Sequence, residues 1–252
     1  MMIMFITTVL LLVSVTVDGC PVVSFVNESC CEVKGNGFKF STSIKSRVFN
    51  ITNFCGDCEL IAEGYCDTVT AGGGWLVIQR RQDGSVDFNR DWVDYEDGFG
   101  SLTGEFWYGL RAIQCLTNQG QWELRIDYTF TNGTKGYLSY SNFRVGPATK
   151  QYPLNISGFD RVTNDPFYTT TSNPSWSLNG WKFTTRDRDN DRWSNNCAVQ
   201  NNGGNGGGWW YNHCSALYLN HQYNHKNKIH LNGKWHPLPF TEIKIRPKDC
   251  II

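Results

Sequence analysis

No charge of one sign dominates this sequence. Lys+Arg and Asp+Glu each number 23, so the formal net charge is zero, and only 18% of the residues are charged. That balance gives no electrostatic reason to bind nucleic acid or an anionic membrane surface. There is no internal repeat, no collagen-like glycine triplet and no heptad run, which removes solenoid, triple-helical and coiled-coil architectures. After the first 17 residues no stretch is long and apolar enough to cross a bilayer, so membrane insertion is not expected. Histidines are few, at five. His221 and His225 have HxxxH zinc spacing, but no Glu stands between them as general base, and Ser215 has no defined acid–base partner. The histidines read as surface or structural residues, and no enzyme is expected.

What is abundant points outward from the cell. Residues 1–17 (MMIMFITTVLLLVSVTV) are apolar with interspersed Thr and Ser, and small Gly19 precedes Cys20. Residues 1–19 therefore read as a signal peptide cleaved after Gly19, although a basic n-region is missing; an uncleaved anchor is the alternative. Four N-glycosylation sequons begin at Asn27, Asn50, Asn132 and Asn155. Cleavage would leave all ten cysteines in the mature chain, an even number suited to disulfides in an oxidising compartment. A secreted, extracellular glycoprotein is expected.

The 10 Trp, 11 Tyr, 15 Phe and 25 Gly, interleaved with Asn, Asp and Thr, predict short strands and many loops. Residues 20–63 form a cysteine-rich N-terminal segment, and 64–252 a single domain. Trp75–Arg81 reads as a buried strand followed by an Asp83-Gly84 turn. Residues 105–116 read as a short helix from apolar spacing of three to four. Trp122–Phe130 and Tyr137–Val145 predict a hairpin, and Thr241–Ile245 a last strand. Regular patterning fades between about 155 and 235. A loop region that long inside a compact domain needs cross-links or a metal to hold it.

Candidates for both lie within it. In Asp187-Arg188-Asp189-Asn190-Asp191-Arg192-Trp193, oxygen donors recur every second residue, a spacing that suits a hard cation such as calcium. It is not an EF-hand, because Arg192 stands at the position of the invariant glycine and Ala198 at that of the bidentate Glu. The competing reading is a solvated loop whose acids are neutralised by Arg186, Arg188 and Arg192.

The run Gly74-Trp75-Leu-Val-Ile-Gln79-Arg80-Arg81-Gln-Asp83-Gly84-Ser85-Val-Asp87-Phe88, then Trp92, Tyr95, Gly98-Phe99-Gly100 and Gly104-Glu105-Phe106-Trp107-Tyr108-Gly109-Leu110, closely resembles the opening of fibrinogen C-terminal-like domains. Trp181-Lys-Phe183, Asp189-x-Asp191, Asn196-Cys197-Ala198, Trp209-Trp210-Tyr-Asn212-His-Cys214, Leu219-Asn220 and Ile243-Lys-Ile245-Arg246-Pro247 follow in the family's order across about residues 64 to 250. The chain is similar to ficolins, tachylectins and the C-terminal domains of angiopoietins and tenascins.

The resemblance implies an α+β fold of antiparallel sheets with short helices and a long loop-rich calcium- and ligand-binding subdomain. It implies calcium held by Asp189 and Asp191 with the carbonyls of Trp193 and Asn195. It implies a Cys197–Cys214 disulfide, often with a cis peptide before the second cysteine, and a second disulfide joining Cys66 to Cys30 or Cys31. A ligand pocket beside the first disulfide would be walled by Trp209, Trp210, His213, Cys214, Ser215, Tyr218 and Tyr223.

Ser215 stands where many members have His, and His221 where Gly is usual, so acetyl-group selectivity is not carried over. Gln200 and Asn201 occupy positions that contact a peptide amine in fibrinogen, and Asn201 lacks the family's charge, which argues against that peptide mode. Carbohydrate or acetylated ligands on cell or microbial surfaces, as in innate immunity, are the expected partners. An extracellular protein bound in cell or matrix adhesion is the alternative. Cys55-Gly-Asp-Cys58 is read as structural, and Cys20, Cys115 and Cys250 stay unassigned; one of these could link a homo-oligomer.

Overall fold

The structure is a computed structural model that describes residues 15–17, 20–22, 47–55, 58–160, 165–167, 177–199, 206–223 and 226–248. β1 (Val15–Val17) and β2 (Cys20–Val22) form a separate antiparallel pair spanning the expected cleavage point. Next come β3 (Arg47–Cys55), β4 (Cys58–Asp67), β5 (Trp75–Arg81), β6 (Phe99–Gly100), β7 (Phe106–Trp107), β8 (Trp122–Thr129), β9 (Lys135–Val145) and β10 (Leu154–Phe159). The loop-rich region holds β11 (Phe183–Thr184) paired with β12 (Trp209–Trp210). It also holds a small sheet of β13 (Leu217–Tyr218), β14 (Lys228–Leu231) and β15 (Lys234–Pro237). β16 (Phe240–Pro247) then returns to the centre of the principal sheet, whose order is β10-β9-β8-β16-β5-β4-β3, with β7 on β5 and β6 on β7. Every pairing is antiparallel. With helices α1 (Trp92–Asp97) and α2 (Leu110–Thr117), this is the α+β architecture that the resemblance implied. β4 crosses residue 64, so the principal sheet continues into the cysteine-rich segment.

The strand at Trp75–Arg81 and the hairpin of β8 and β9 form where the patterning placed them. The helix read over 105–116 starts later. Phe106 and Trp107 pair with Arg80 and Gln79 as a strand, and the helix begins at Leu110, after Gly109 at φ 100°. A positive φ at Gly109 ends the strand and redirects the chain, which a side chain would resist. The apolar spacing was right for α2, whose Leu110, Ile113 and Leu116 are buried, but Phe106 and Trp107 are buried by sheet pairing instead.

Central strands β5 and β16 are covered on both faces, yet carry polar side chains that must therefore find partners. Lys244 is almost fully buried, its Nζ 2.6 Å from Asp67 and Glu242 and 2.9 Å from Asp127. Arg80 also pairs with Glu242, at 2.7 Å, and Arg125 with Asp127, at 2.7 Å. Asp67 is buried, but the Lys244 ammonium and hydrogen bonds from the Thr70 side chain and backbone N–H hold its carboxyl well below its ordinary 3.8. A group depressed in this way contributes stability that is complete above about pH 4 and is lost as the pH falls further.

Lys244→Met is expected to leave buried Asp67 without a cation and to strip one of two cations from Glu242 and Asp127, costing about 3–5 kcal/mol. Urea denaturation at pH 7 would reveal the loss, and the variant's acid-side decline should be shallower than the wild type's. Equal stability at pH 7 would show that the ions are solvated in the native state.

Candidate functional site

β5 reaches out of the sheet to fix the loop-rich region. Gln79 and Arg81, two residues apart, share a strand face. Gln79 Nε2 donates to the Leu219 carbonyl (2.9 Å) and to Asn220 Oδ1 (3.0 Å), while Asn220 Nδ2 donates to Gly208 (2.8 Å). Arg81 donates to the carbonyls of His221 (2.7 Å) and Leu219 (3.3 Å), lies over the Phe88 ring, and has buried Glu105 at 3.6 Å. Glu105 in turn accepts the backbone N–H groups of Gln82, Asp83, Gly84 and Val86, which sets the turn leaving β5. A Cβ on Gly207 would collide with the Asn220 carbonyl, so the glycine run admits this close approach and nothing larger.

On this base sit the acid loop and the disulfide. Cys197 and Cys214 are bonded, with Cα atoms 5.3 Å apart and a sequence separation of 17. By loop entropy such a link contributes on the order of 3 kcal/mol. Asp191 Oδ1 accepts from Trp193 N and Oδ2 from Cys197 N, both at 2.8 Å, so the acid is bonded directly to the disulfide's backbone. Arg192 N donates to the Asn212 carbonyl (2.9 Å), and the Trp193 ring lies 6.4 Å from that of His213. Asp189 accepts from Asp191 N (3.2 Å). Burial pushes the Asp191 carboxyl up to about 6, opposed by its two backbone hydrogen bonds, and neighbouring Asp189 adds to the rise.

Two of the loop's three arginines, Arg186 and Arg188, are turned to other partners. Arg186 pairs with Asp91 (2.6 Å) and Arg188 lies over the Trp92 ring at 4.1 Å. Among the described residues neither Asp189 nor Asp191 has an ion-pair partner. Nor does any backbone N–H among them donate to the carbonyls of Trp193 and Asn195. Two adjacent carboxylates and free main-chain oxygens fit a hard divalent cation. No three His, Cys, Asp or Glu side chains gather among the described residues, so such an ion would depend on those carbonyls.

The sequence profile described as fibrinogen beta and gamma chains, C-terminal globular domain, matches residues 27–248. This chain belongs to the fibrinogen C-terminal domain family. It is 36% identical over 242 residues to fibrinogen-like protein 1 of Bos taurus, covering 88% of this chain and 72% of that one. It is 41% identical over 198 residues to fibrinogen C domain-containing protein 1 of Homo sapiens, covering 73% of this chain but only 40% of that one. Its fold superposes on the fibrinogen-like globe domain of human ANGPTL2 with a TM-score of 0.72 at 31% identity, covering 87% of this chain and 98% of that one. A lamprey fibrin D-dimer complexed with the peptide Gly-His-Arg-Pro-amide gives 0.74 at 31% identity, covering 89% and 74%.

In this fibrinogen-type domain the wall implied by resemblance separates into surface and support. His213 is exposed and Cys214 half-buried. Trp209 and Trp210 are buried in the core, where Trp210 meets Trp107 and Phe183. Ser215 is buried and spends its hydroxyl on Leu217, donating to the carbonyl and accepting from the N–H. The Tyr223 hydroxyl lies 2.7 Å from the Gln82 carbonyl and 2.8 Å from that of Pro239, bracing the turn after β5. Tyr218, buried, meets the rings of His221 and half-exposed Trp235 at a tilt, with Lys228 over the Trp235 ring. Trp235 was not singled out from the sequence, and exposure is a property no spacing reveals.

The peptide before Cys214 is not cis; no described peptide bond is, and Cys214 instead takes φ 62°. A left-handed non-glycine residue costs roughly 1–2 kcal/mol, which the disulfide and the Asn212–Cys214 bridge restrain. Cys66 and Cys115 are disulfide-bonded. The expected pairing of Cys66 with Cys30 or Cys31, residues Gln200 and Asn201, the sequon at Asn27, and Cys250 lie outside the described residues. For Cys20, Cys55 and Cys58 only the backbone is described.

His221 was noted as a departure, and the structure explains how it is tolerated. It is fully buried, and its Nε2 lies 2.8 Å from the Tyr211 hydroxyl, which itself donates to the Gly207 carbonyl (2.7 Å). The neutral ring therefore donates through Nε2. Desolvation, then Lys228, Lys226 and Arg81, hold its pKa down to about 3, against the ordinary 6.5. The unfolded chain binds this proton more readily, so the stability His221 contributes is complete above pH 6.5 and falls as the pH drops toward 3. Below pH 6.5 stability should decline by about 1.4 kcal/mol per pH unit from this group. Denaturant midpoints at pH 7, 6 and 5 would show it, and His221→Gln should flatten the slope; parallel curves would refute the assignment.

Proposed function

We propose that this fibrinogen-type domain is a calcium-dependent extracellular recognition module, without catalytic activity, that binds carbohydrate or acetylated surface ligands beside the Cys197–Cys214 disulfide. One observation carries the reading: Asp189 and Asp191 lack an ion-pair partner among the described residues while neighbouring Arg186 and Arg188 are engaged elsewhere. Asp191 joins that charge site to Cys197, and the disulfide joins Cys197 to the chain at exposed His213. Bound calcium would supply the charge that fixes the acid loop, with Asp189, Asp191 and the carbonyls of Trp193 and Asn195 holding it. The residues that then meet ligand would be His213 and Trp193, with Ser215, Trp209 and Trp210 keeping them in place. Export through the secretory pathway belongs to the same reading, supported by the apolar first 17 residues and the even cysteine count. Among the described residues no helix is long and apolar enough to cross a membrane.

Buried Ser215 and His221, whose polar atoms are satisfied within the chain, favour a second reading: an extracellular protein partner, with calcium structural. Two measurements separate them. Calorimetric calcium titration should give binding that Asp191→Asn weakens by about tenfold or more, as expected when a charged ligand is lost. Binding to acetylated glycans on an array should disappear with EDTA and in that variant. Calcium binding without any glycan signal would favour the protein partner, and no calcium binding would refute both forms of the proposal.

A further inference from the structure

Far along the chain from the acid loop, a groove of about 440 Å³ lies over the β9–β10 end of the principal sheet. Trp122, Asn142, Arg144, Asn155, Ser157 and Asn179 help line it. Its size falls in the range of small-molecule sites, about 300–1,000 Å³. Its chemistry is the Trp122 ring, with the largely buried Phe143 behind it, among amides, a hydroxyl and a guanidinium, which suits a ring that is apolar on its face and hydroxyl-bearing at its edge. Alternation explains the lining. On β10, Leu154 and Ile156 point into the core, while Asn155 and Ser157 face solvent opposite Arg144 and Asn142 on β9. Several groups are already oriented: Asn142 Nδ2 donates to Ser157 Oγ (3.1 Å), Arg144 Nε to Asn118 Oδ1 (2.7 Å), and Trp122 Nε1 to the Gln119 carbonyl (2.9 Å).

Asn155-Ile156-Ser157 is also a sequon. The Asn155 side chain is exposed, and its nitrogen makes only a 3.4 Å contact with the Pro153 carbonyl. An N-linked glycan would therefore start inside the groove. We infer that the groove is the seat of the chain's own glycan at Asn155, whose first acetamido-sugar residues lie against Trp122 and hydrogen-bond to the surrounding polar side chains. Tethering decides the occupant, because a covalently attached sugar is present at an effective concentration in the millimolar range and fills a site too weak to retain free sugar. β10 is an edge strand whose Leu154 and Ile156 backbone groups are covered by Asn179, Gly180 and Trp181. The glycan would cover the solvent face that this segment leaves open, beside an edge whose backbone groups already have partners. The inference rests on export but not on calcium or ligand binding.

The sequon at Asn132 supplies an internal control, since that residue is exposed on the β8–β9 turn and does not line this groove. The full chain would be secreted from mammalian cells and its glycans released by an amidase under native conditions, with site-resolved mass spectrometry of the glycopeptides. Release from Asn155 should be about tenfold slower than from Asn132, a factor equivalent to about 1.4 kcal/mol of protection. Trp122→Ala should bring the two rates together, and Arg144→Ala, a surface change that spares the core, should move Asn155 in the same direction. Equal rates in the wild type, or rates unmoved by both variants, would overturn the inference. A bare Asn155 beside a modified Asn132 would overturn it through the groove, and two bare sites would overturn it through export.

Discussion

Two side chains of one strand hold the loop-rich third of the molecule against the sheet. Gln79 and Arg81 project from β5 and spend their donors on the carbonyls and carboxamide of Leu219, Asn220 and His221. These are buried polar contacts, so removing one partner would strand the other without water and cost more than the bond itself contributes. Glu105 closes the arrangement by gathering four backbone N–H groups at the turn after β5 while facing Arg81. A region whose regular structure is limited to strands of two to four residues thus borrows its rigidity from the sheet.

That borrowed rigidity lets the acid loop and the disulfide act together. Asp191 bonds to Cys197 N, Cys197 bonds covalently to Cys214, and Cys214 sits in a left-handed conformation next to His213. Charge at Asp189 and Asp191 is mechanically connected to the exposed surface through a few short, stiff links. A cation between the two acids would relieve the desolvation and repulsion that raise the Asp191 carboxyl, and the relief would be felt at the disulfide. Aromatic packing of Tyr95, Trp107, Phe183 and Trp210 seals the region from below.

The sheet was readable where local pattern and tertiary role agree. Trp75–Arg81, the β8–β9 hairpin and the last strand stand out by β-branched and aromatic content between turn residues, and each is a strand. Phe106 and Trp107 misled because their apolar spacing continues into α2, whereas only the backbone partners on β5 make them a strand. At the site, the acids and Cys197 with Cys214 carry an identity that survives any conformation. Trp209, Trp210, Ser215 and Tyr223 were grouped with His213 as ligand wall, yet the first three are buried and the last braces a turn.

The sequence alone determined composition-level matters: a neutral, cysteine-rich chain of short strands, the order of motifs that marks its family, and the pair of acids beside a cystine. Those follow from residue type and spacing, which are local. Tertiary structure decided which arginines leave the acids uncompensated, which aromatics are core rather than surface, how His221 is kept neutral, and that Asn155 opens into a groove. Each of those depends on residues apart in sequence meeting in space, such as Arg186 and Asp91, 95 positions apart, or Arg81 and His221, 140 apart, and burial and charge compensation exist only once they have met.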